Sequence, residues 1–223
     1  EYRRLSAQGP VPPVAMAAYM KSARQRVSHL ENLRIFDADG RVTHADVPLD
    51  PARPVSVADR SYFQRIRTEK GLIFAPPLLG RISNQWIIPI QRRIECADGR
   101  FCGGVGTSLP TASISKQLAT LDIGPHGAAV LFDAERNILV RHPEPKGPGS
   151  AIGLKIGSTE FQALWRDGHT SGTYTARSTT DGQLRVYSYR QVGSYPLFIL
   201  VGISPDDYLQ PWWNHLRAAL VFL

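Results

Sequence analysis

Apolar side chains recur along this chain with two periods. Near the N-terminus, Met16, Met20, Ala23, Val27 and Leu30 are spaced 4, 3, 4 and 3 apart, with Lys21, Arg24, Gln25 and Arg26 mostly off that stripe. Val11-Pro12-Pro13 stands just ahead, where a proline pair suits a helix start. The pattern predicts a long N-terminal helix within residues 1–32. It would dock on its own domain's sheet, pair with a second copy in a homodimer, or do both along its length. Beyond it the period shortens to two. Residues 33–37 and 41–45 read as strands about Asp39-Gly40, a strong hairpin signal, and 129–133 and 137–142 repeat the pattern. Further strands are expected over 71–75, 84–94 and 100–108, and over 172–177, 183–191 and 196–204. Helices are expected after Asp59 as N-cap, over 158–166 with Ser158 or Thr159 as cap, from Ser108 or Thr111 to about Thr120, and from Ser204 onward.

Two short segments recur at one offset. Ile35-Phe36-Asp37-Ala38 matches Leu131-Phe132-Asp133-Ala134, and Val105-Gly106-Thr107-Ser108 matches Val201-Gly202-Ile203-Ser204, both 96 residues apart. Two matches at one offset argue for two copies of one fold unit. The expected fold is α+β, each copy an antiparallel sheet of about five strands with flanking helices. The expected organisation is a helix over 1–32, a first unit with a connecting helix over 33–120, a second unit over 121–209, and a C-terminal helix over 210–223. Paired Trp212 and Trp213 followed by an apolar run read as an interfacial belt leading toward a membrane span.

Composition narrows the function classes. With 223 residues, 43% hydrophobic and 20% charged, the chain can bury a sizeable core. The net charge is +7, and Arg outnumbers Lys 21 to 5, which allows an anionic ligand. Asp and Glu are interspersed throughout, so no basic stripe suited to nucleic acid forms. The six histidines are scattered, none in a His-Glu-x-x-His motif, and the two cysteines lack zinc spacing. Neither an enzyme centre, a metal nor a cofactor is expected. Cys96 and Cys102 flank the Asp98-Gly99 turn and read as a disulfide or as two buried thiols.

Candidate ligand contacts cluster in the first unit. Pro76-Pro77 bars a regular ladder, so residues 75–86 can cross over the sheet as a wall. Trp86 would supply an aromatic surface and Arg81 an anion partner. Tyr62 and Arg65, three apart, share a helix face. Asn84 and Gln91 belong to the same strand region, and at most one of Arg92 and Arg93 can look inward. Trp165, Tyr174, Arg177, Tyr187, Tyr189 and Arg190 form a second set, read chiefly as sheet packing.

These segments together resemble the double Cache sensor, two PAS-like units behind a long helix, found in the extracytoplasmic part of bacterial receptors. The resemblance covers about residues 14–209. It rests on Asp59-Arg60-Ser61-Tyr62-Phe63, Gly80-Arg81-Ile82-Ser83-Asn84-Gln85-Trp86, Gln91-Arg92-Arg93-Ile94, Asp98-Gly99-Arg100-Phe101 and Val201-Gly202-Ile203-Ser204-Pro205-Asp206. The look is closest to sensors on diguanylate cyclases or histidine kinases. It implies small-molecule sensing in the first unit, no chemistry, a periplasmic or extracellular location on an inner-membrane protein, and flanking membrane helices. The amino-acid-binding branch carries Arg-x-Trp-Tyr where this chain reads Asn84-Gln85-Trp86-Ile87, so its carboxylate grip is not carried over. The alternative is a periplasmic protein-interaction module with no small-molecule ligand.

Overall fold

The computed structural model describes residues 12–27, 30–81, 83–145, 150–210 and 212. Helix α1 (Pro13–Gln25) opens with proline in its first turn and ends at Arg26. It is therefore shorter than the expected 1–32; residues 1–11, 28 and 29 lie outside the described residues. Its seam is Met16, Met20 and Ala23, since Val27 and Leu30 fall beyond the last turn. The chain then forms two compact units that divide at Ser113 and Ile114.

The first unit contains β1 (Arg34–Phe36), β2 (Val42–Ala45), α2 (Ser61–Thr68), β3 (Leu72–Phe74), β4 (Leu78–Leu79), β5 (Trp86–Glu95) and β6 (Phe101–Pro110). Its strands run antiparallel in the order β2-β1-β6-β5-β3, with β4 on β5. Alternation assigns the two faces. Ile35, Ile94 and Val105 turn to the rear and pack with Met16 and Met20 of α1. Phe36 turns to the front, where it joins Tyr62, Phe63 and Ile66 of α2. Both faces are thus covered. The rear is covered by α1, the docking on its own domain's sheet that the heptad pattern allowed.

Helix α3 (Thr111–Leu118) leads into the second unit, which comprises β7 (Ala128–Asp133), β8 (Ile138–His142), α4 (Thr159–Arg166), β9 (Ser171–Arg177), β10 (Leu184–Gln191), β11 (Leu197–Ile203) and a helix over 205–210. Its order, β8-β7-β11-β10-β9, repeats that of the first unit without β4. The hairpins superimpose at the offset of the sequence repeat. Phe36 faces Val42 as Phe132 faces Ile138, and Arg92 faces Val105 as Ser188 faces Val201. Even the turn agrees, with Gly40 at φ 81° and Arg136 at φ 71°. The pairing between hairpins is different: Ile35 faces Val105, whereas Leu131 faces Ile199, a slip of two residues. A slip of two preserves which side chains face inward.

Ser158 caps α4 by accepting from the Phe161 N–H at 3.3 Å. By contrast, α2 starts after Arg60 with no side-chain cap, because the Asp59 carboxylate is engaged by Arg81. Beneath α4 lies an aromatic core in which Phe161 packs against Phe132, Trp165, Tyr174 and Tyr189 at centroid distances of 5.2–5.7 Å. Truncating a ring at that centre leaves a cavity that its neighbours cannot fill. Phe161→Ala is expected to destabilise the second unit by about 3–5 kcal/mol in denaturant melts.

Candidate functional site

After β3 the chain crosses the front face and rejoins the sheet at β5. Pro76 and Pro77 offer no amide donors, so only Leu78 and Leu79 pair, with Ile87 and Trp86. The strap folds back on itself, with Gly80 N–H donating to the Gln85 carbonyl at 2.8 Å and Asn84 N–H to that of Gly80 at 2.9 Å. Asn84 takes φ 52°, a conformation its short side chain tolerates. Arg81 then clamps the strap onto the loop before α2. Its guanidinium meets the Asp59 carboxylate through both oxygens and donates to the Ser56 carbonyl at 2.6 Å. Arg60 adds a bond to the Leu79 carbonyl at 3.3 Å.

Under this strap is a cavity of about 20 Å³ bounded by Arg34 on β1, Tyr62 on α2, Leu78 and Arg81 on the strap, and Ile87 on β5. That volume holds roughly one water molecule. Three arginines border it: Arg34, Arg60 and Arg81. Burial pushes the Tyr62 hydroxyl up from its ordinary range, although Arg34, Arg60 and Arg81 pull it down. The Arg81 hydrogen bonds hold the exposed Asp59 carboxyl below the ordinary carboxylate range.

Of the residues expected from sequence, Tyr62 and Arg81 line this cavity. Arg65 is half-buried and engages Glu69 and the Phe74 carbonyl. Trp86 stands 52% exposed, and Arg92 lies in a groove beside Met16 and Met20 on the rear face. Arg93 is on the front, but it donates to the Arg67 carbonyl. Gln91 is fully buried on the front face, over Gly106. Arg34 was missed. Its signal was present: alternation in Arg34-Ile35-Phe36 puts a charged residue beside the buried Phe36. Cys96 and Cys102 form a disulfide with Cα atoms 5.5 Å apart.

The second unit treats its polar groups differently. Asp181 accepts from both Arg185 amino groups at 2.8 and 2.9 Å and also from Arg141, two arginines about 2% exposed. Tyr174 and Tyr187 stack at 5.2 Å, and Trp165 and Tyr189 join the aromatic core. Arg177 and Arg190 are exposed.

A family model of the Cache domain matches residues 12–212. This chain belongs to the Cache domain family. Among solved structures, the extracellular domain of rpHK1S-Z16, assigned as a histidine kinase, is 26% identical with a TM-score of 0.77, covering 93% of this chain and 84% of that one. The ligand-binding domain of the Pseudomonas fluorescens chemoreceptor CtaA, in complex with L-isoleucine, is 20% identical with a TM-score of 0.63, covering 92% and 80%. That of the Pseudomonas aeruginosa PAO1 chemoreceptor PctB, in complex with L-Gln, is 19% identical with a TM-score of 0.67, covering 98% and 88%. These last two likenesses are of fold. No curated protein matches the chain.

Within this Cache domain the strap is held by few bonds, one of them the Arg81–Asp59 pair. Asp59→Asn is expected to speed hydrogen exchange of the amides of Gly80 and Asn84 while the melting temperature barely moves, because the pair is exposed. A second expectation concerns acid. Burial alone would raise Asp181, but hydrogen bonds from Arg185, Ser178 and the Gln183 N–H outweigh it and hold the carboxyl far below its ordinary value of 3.8. A carboxyl depressed in the folded state adds stability above its unfolded pKa of about 3.9, lost as pH falls below it. Melting temperatures should therefore drop progressively from about pH 5 down through pH 3 and below, most steeply under about pH 4, and drop less in Asp181→Asn.

Proposed function

We propose that this Cache domain is the extracytoplasmic input domain of a transmembrane signalling receptor, and that the cavity of its first unit receives a small-molecule ligand. The observation that carries the reading is the strapped cavity itself. Polar groups converge there, and its cover is tied down by side-chain bonds that a ligand can replace. The domain has no catalytic step in this reading. The Cys96–Cys102 disulfide supports an oxidising compartment outside the cytoplasm. Residues 211 and 213–223, which the sequence reading takes toward the membrane, lie outside the described residues, as do residues 1–11 before α1.

A metabolite-sized ligand needs several hundred Å³, so the strap must lift from its closed position. The consequence would reach α1 through β1, whose Arg34 borders the cavity while its Ile35 packs on Met16 and Met20. A ligand that binds the lifted strap better than the closed one shifts the helix with it. Pairing of two copies through α1 and continuation into membrane helices belong to the same proposal.

The test is a thermal-shift screen against small metabolites on the wild type and on Leu78→Trp, which plugs the cavity from the strap. A true ligand at about 100 times its Kd should raise the melting temperature by roughly 5–10 °C. That shift should vanish in Leu78→Trp. A shift that survives both this change and Arg81→Ala would move the site elsewhere. No shift with any compound would favour the protein-interaction alternative.

A further inference from the structure

The three arginines around the cavity are not equivalent. Arg81 is matched by Asp59, and the half-buried Arg60 donates to a backbone carbonyl. Arg34 is only 8% exposed and gives a single hydrogen bond, from Nη2 to the Ser108 hydroxyl at 3.0 Å. Its buried Nε has no partner. Among the described residues no carboxylate forms an ion pair with it. Glu31 acts on it only through space, its carboxyl raised by burial against the attraction of Arg34. Burial likewise pulls the Arg34 guanidinium down from its ordinary range, opposed by Tyr62 and Glu31. An arginine buried with no counter-charge is costly to a fold, and an apolar side chain of similar size is often as good or better.

A second unpaired group lies in the same row. Arg34 faces Gly106 across β1 and β6, and Gly106 faces Gln91 across β6 and β5. With no side chain at Gly106, the Gln91 amide lies over it; a Cβ there would collide with Gln91. Gln91 is fully buried, and both polar atoms of its side chain lack partners. The front face therefore holds two buried donors without acceptors in one cross-strand row, Gln91 Nε2 and Arg34 Nε, and Arg34 lines the cavity.

We propose that the cavity binds a small organic carboxylate and that Arg34 grips its charged head. The inference rests on the sensing reading above and names its ligand class. A carboxylate can accept from Nε and Nη2 of Arg34 together, the fork that suits arginine best, and Gln91 offers the next donor in the row. An α-ammonium group is poorly served. Arg34, Arg60 and Arg81 repel it, and Asp59 is already held by Arg81. Hydroxy or keto acids are favoured over the matching amino acids.

The experiment is calorimetric titration with matched probes: propionate and propionamide, lactate and lactamide, pyruvate, succinate, L-alanine, L-isoleucine and L-glutamine. At least one acid should bind, and its amide or amino-acid counterpart should bind at least about tenfold more weakly. Arg34→Met should lose about tenfold or more in affinity for that acid, yet melt no lower than the wild type without probe. That combination separates a ligand-gripping arginine from a structural one. Should Arg34→Met fail to fold, Arg34→Lys keeps the charge without the fork and should retain only weakened acid binding. Amides or amino acids binding as tightly as acids would overturn the inference, as would full acid affinity in either Arg34 variant. If every acid fails while some other compound gives a shift that Leu78→Trp abolishes, the carboxylate inference falls and the sensing reading stands.

Discussion

The first unit is organised around three consecutive residues that have no solvent to turn to. Arg34, Ile35 and Phe36 make up the whole of β1, and each is at most 8% exposed. Alternation is obligatory in a strand, so Ile35 must face one helix and its two neighbours the other. Phe36 fits this demand, sitting under Phe63 at a centroid distance of 5.9 Å. Arg34 does not, and the fold tolerates it at the wall of the cavity under the strap. A shift of β1 along or across the sheet moves the α1 contact and the cavity wall together. That gives a sensor an economical route from pocket to helix, because the two surfaces belong to one short strand.

The strap follows from the same geometry. A regular strand over residues 75–85 would complete the sheet and leave no hollow. Two prolines prevent it, and the segment is tied back instead by Arg81, Arg60 and a two-residue ladder. The Arg81 and Arg60 ties are made by side chains able to bond elsewhere, and the backbone ladder is only two residues long. A ligand headgroup can take over such bonds one for one, whereas it cannot take over the β5–β6 ladder. The unit is thus rigid where it positions the cavity floor and loose where it must open.

Much of this architecture was legible in the sequence. The hairpins, the aromatic helices and the duplication emerged because short-range signals decide them: turn glycines, period-two strands, and two anchors at one offset. The two-residue slip between β1–β6 and β7–β11 was not legible, since pairing between strands some 70 residues apart leaves no mark in local spacing. The α1 terminus also eluded the pattern. Val27 and Leu30 continue the heptad, yet the last turn closes at Arg26 and the chain turns to pair Glu31 N–H with the Ser108 carbonyl at 2.8 Å. In the site, Tyr62 and Arg81 were found through helix period and strap chemistry. Trp86 has the parity of Ile88 and Arg92, so it turns to the rear, away from the cavity, and a tryptophan's size says nothing about parity. Arg34 escaped notice because it lies inside the expected strand 33–37, far in sequence from the helix and strap residues that meet it at the cavity.

The two units make a controlled comparison of what buried arginines are for. They share strand order, hairpin registers and a helix over the front face, so the mechanical demand on a core is nearly the same in both. In the second unit, Arg141 and Arg185 converge on Asp181 and further bonds complete them, including Arg185 Nε to the His126 carbonyl at 2.6 Å. Buried arginine in this fold can therefore be fully matched. The first unit leaves Arg34 with one hydroxyl, at the wall of the strapped cavity, and the Gln91 side chain with nothing. If burial alone explained these residues, the unmatched groups should be scattered over both cores. Among the described residues they all lie in the first unit, and Arg34 is the one that also lines its cavity, which is the pattern the proposed binding site calls for.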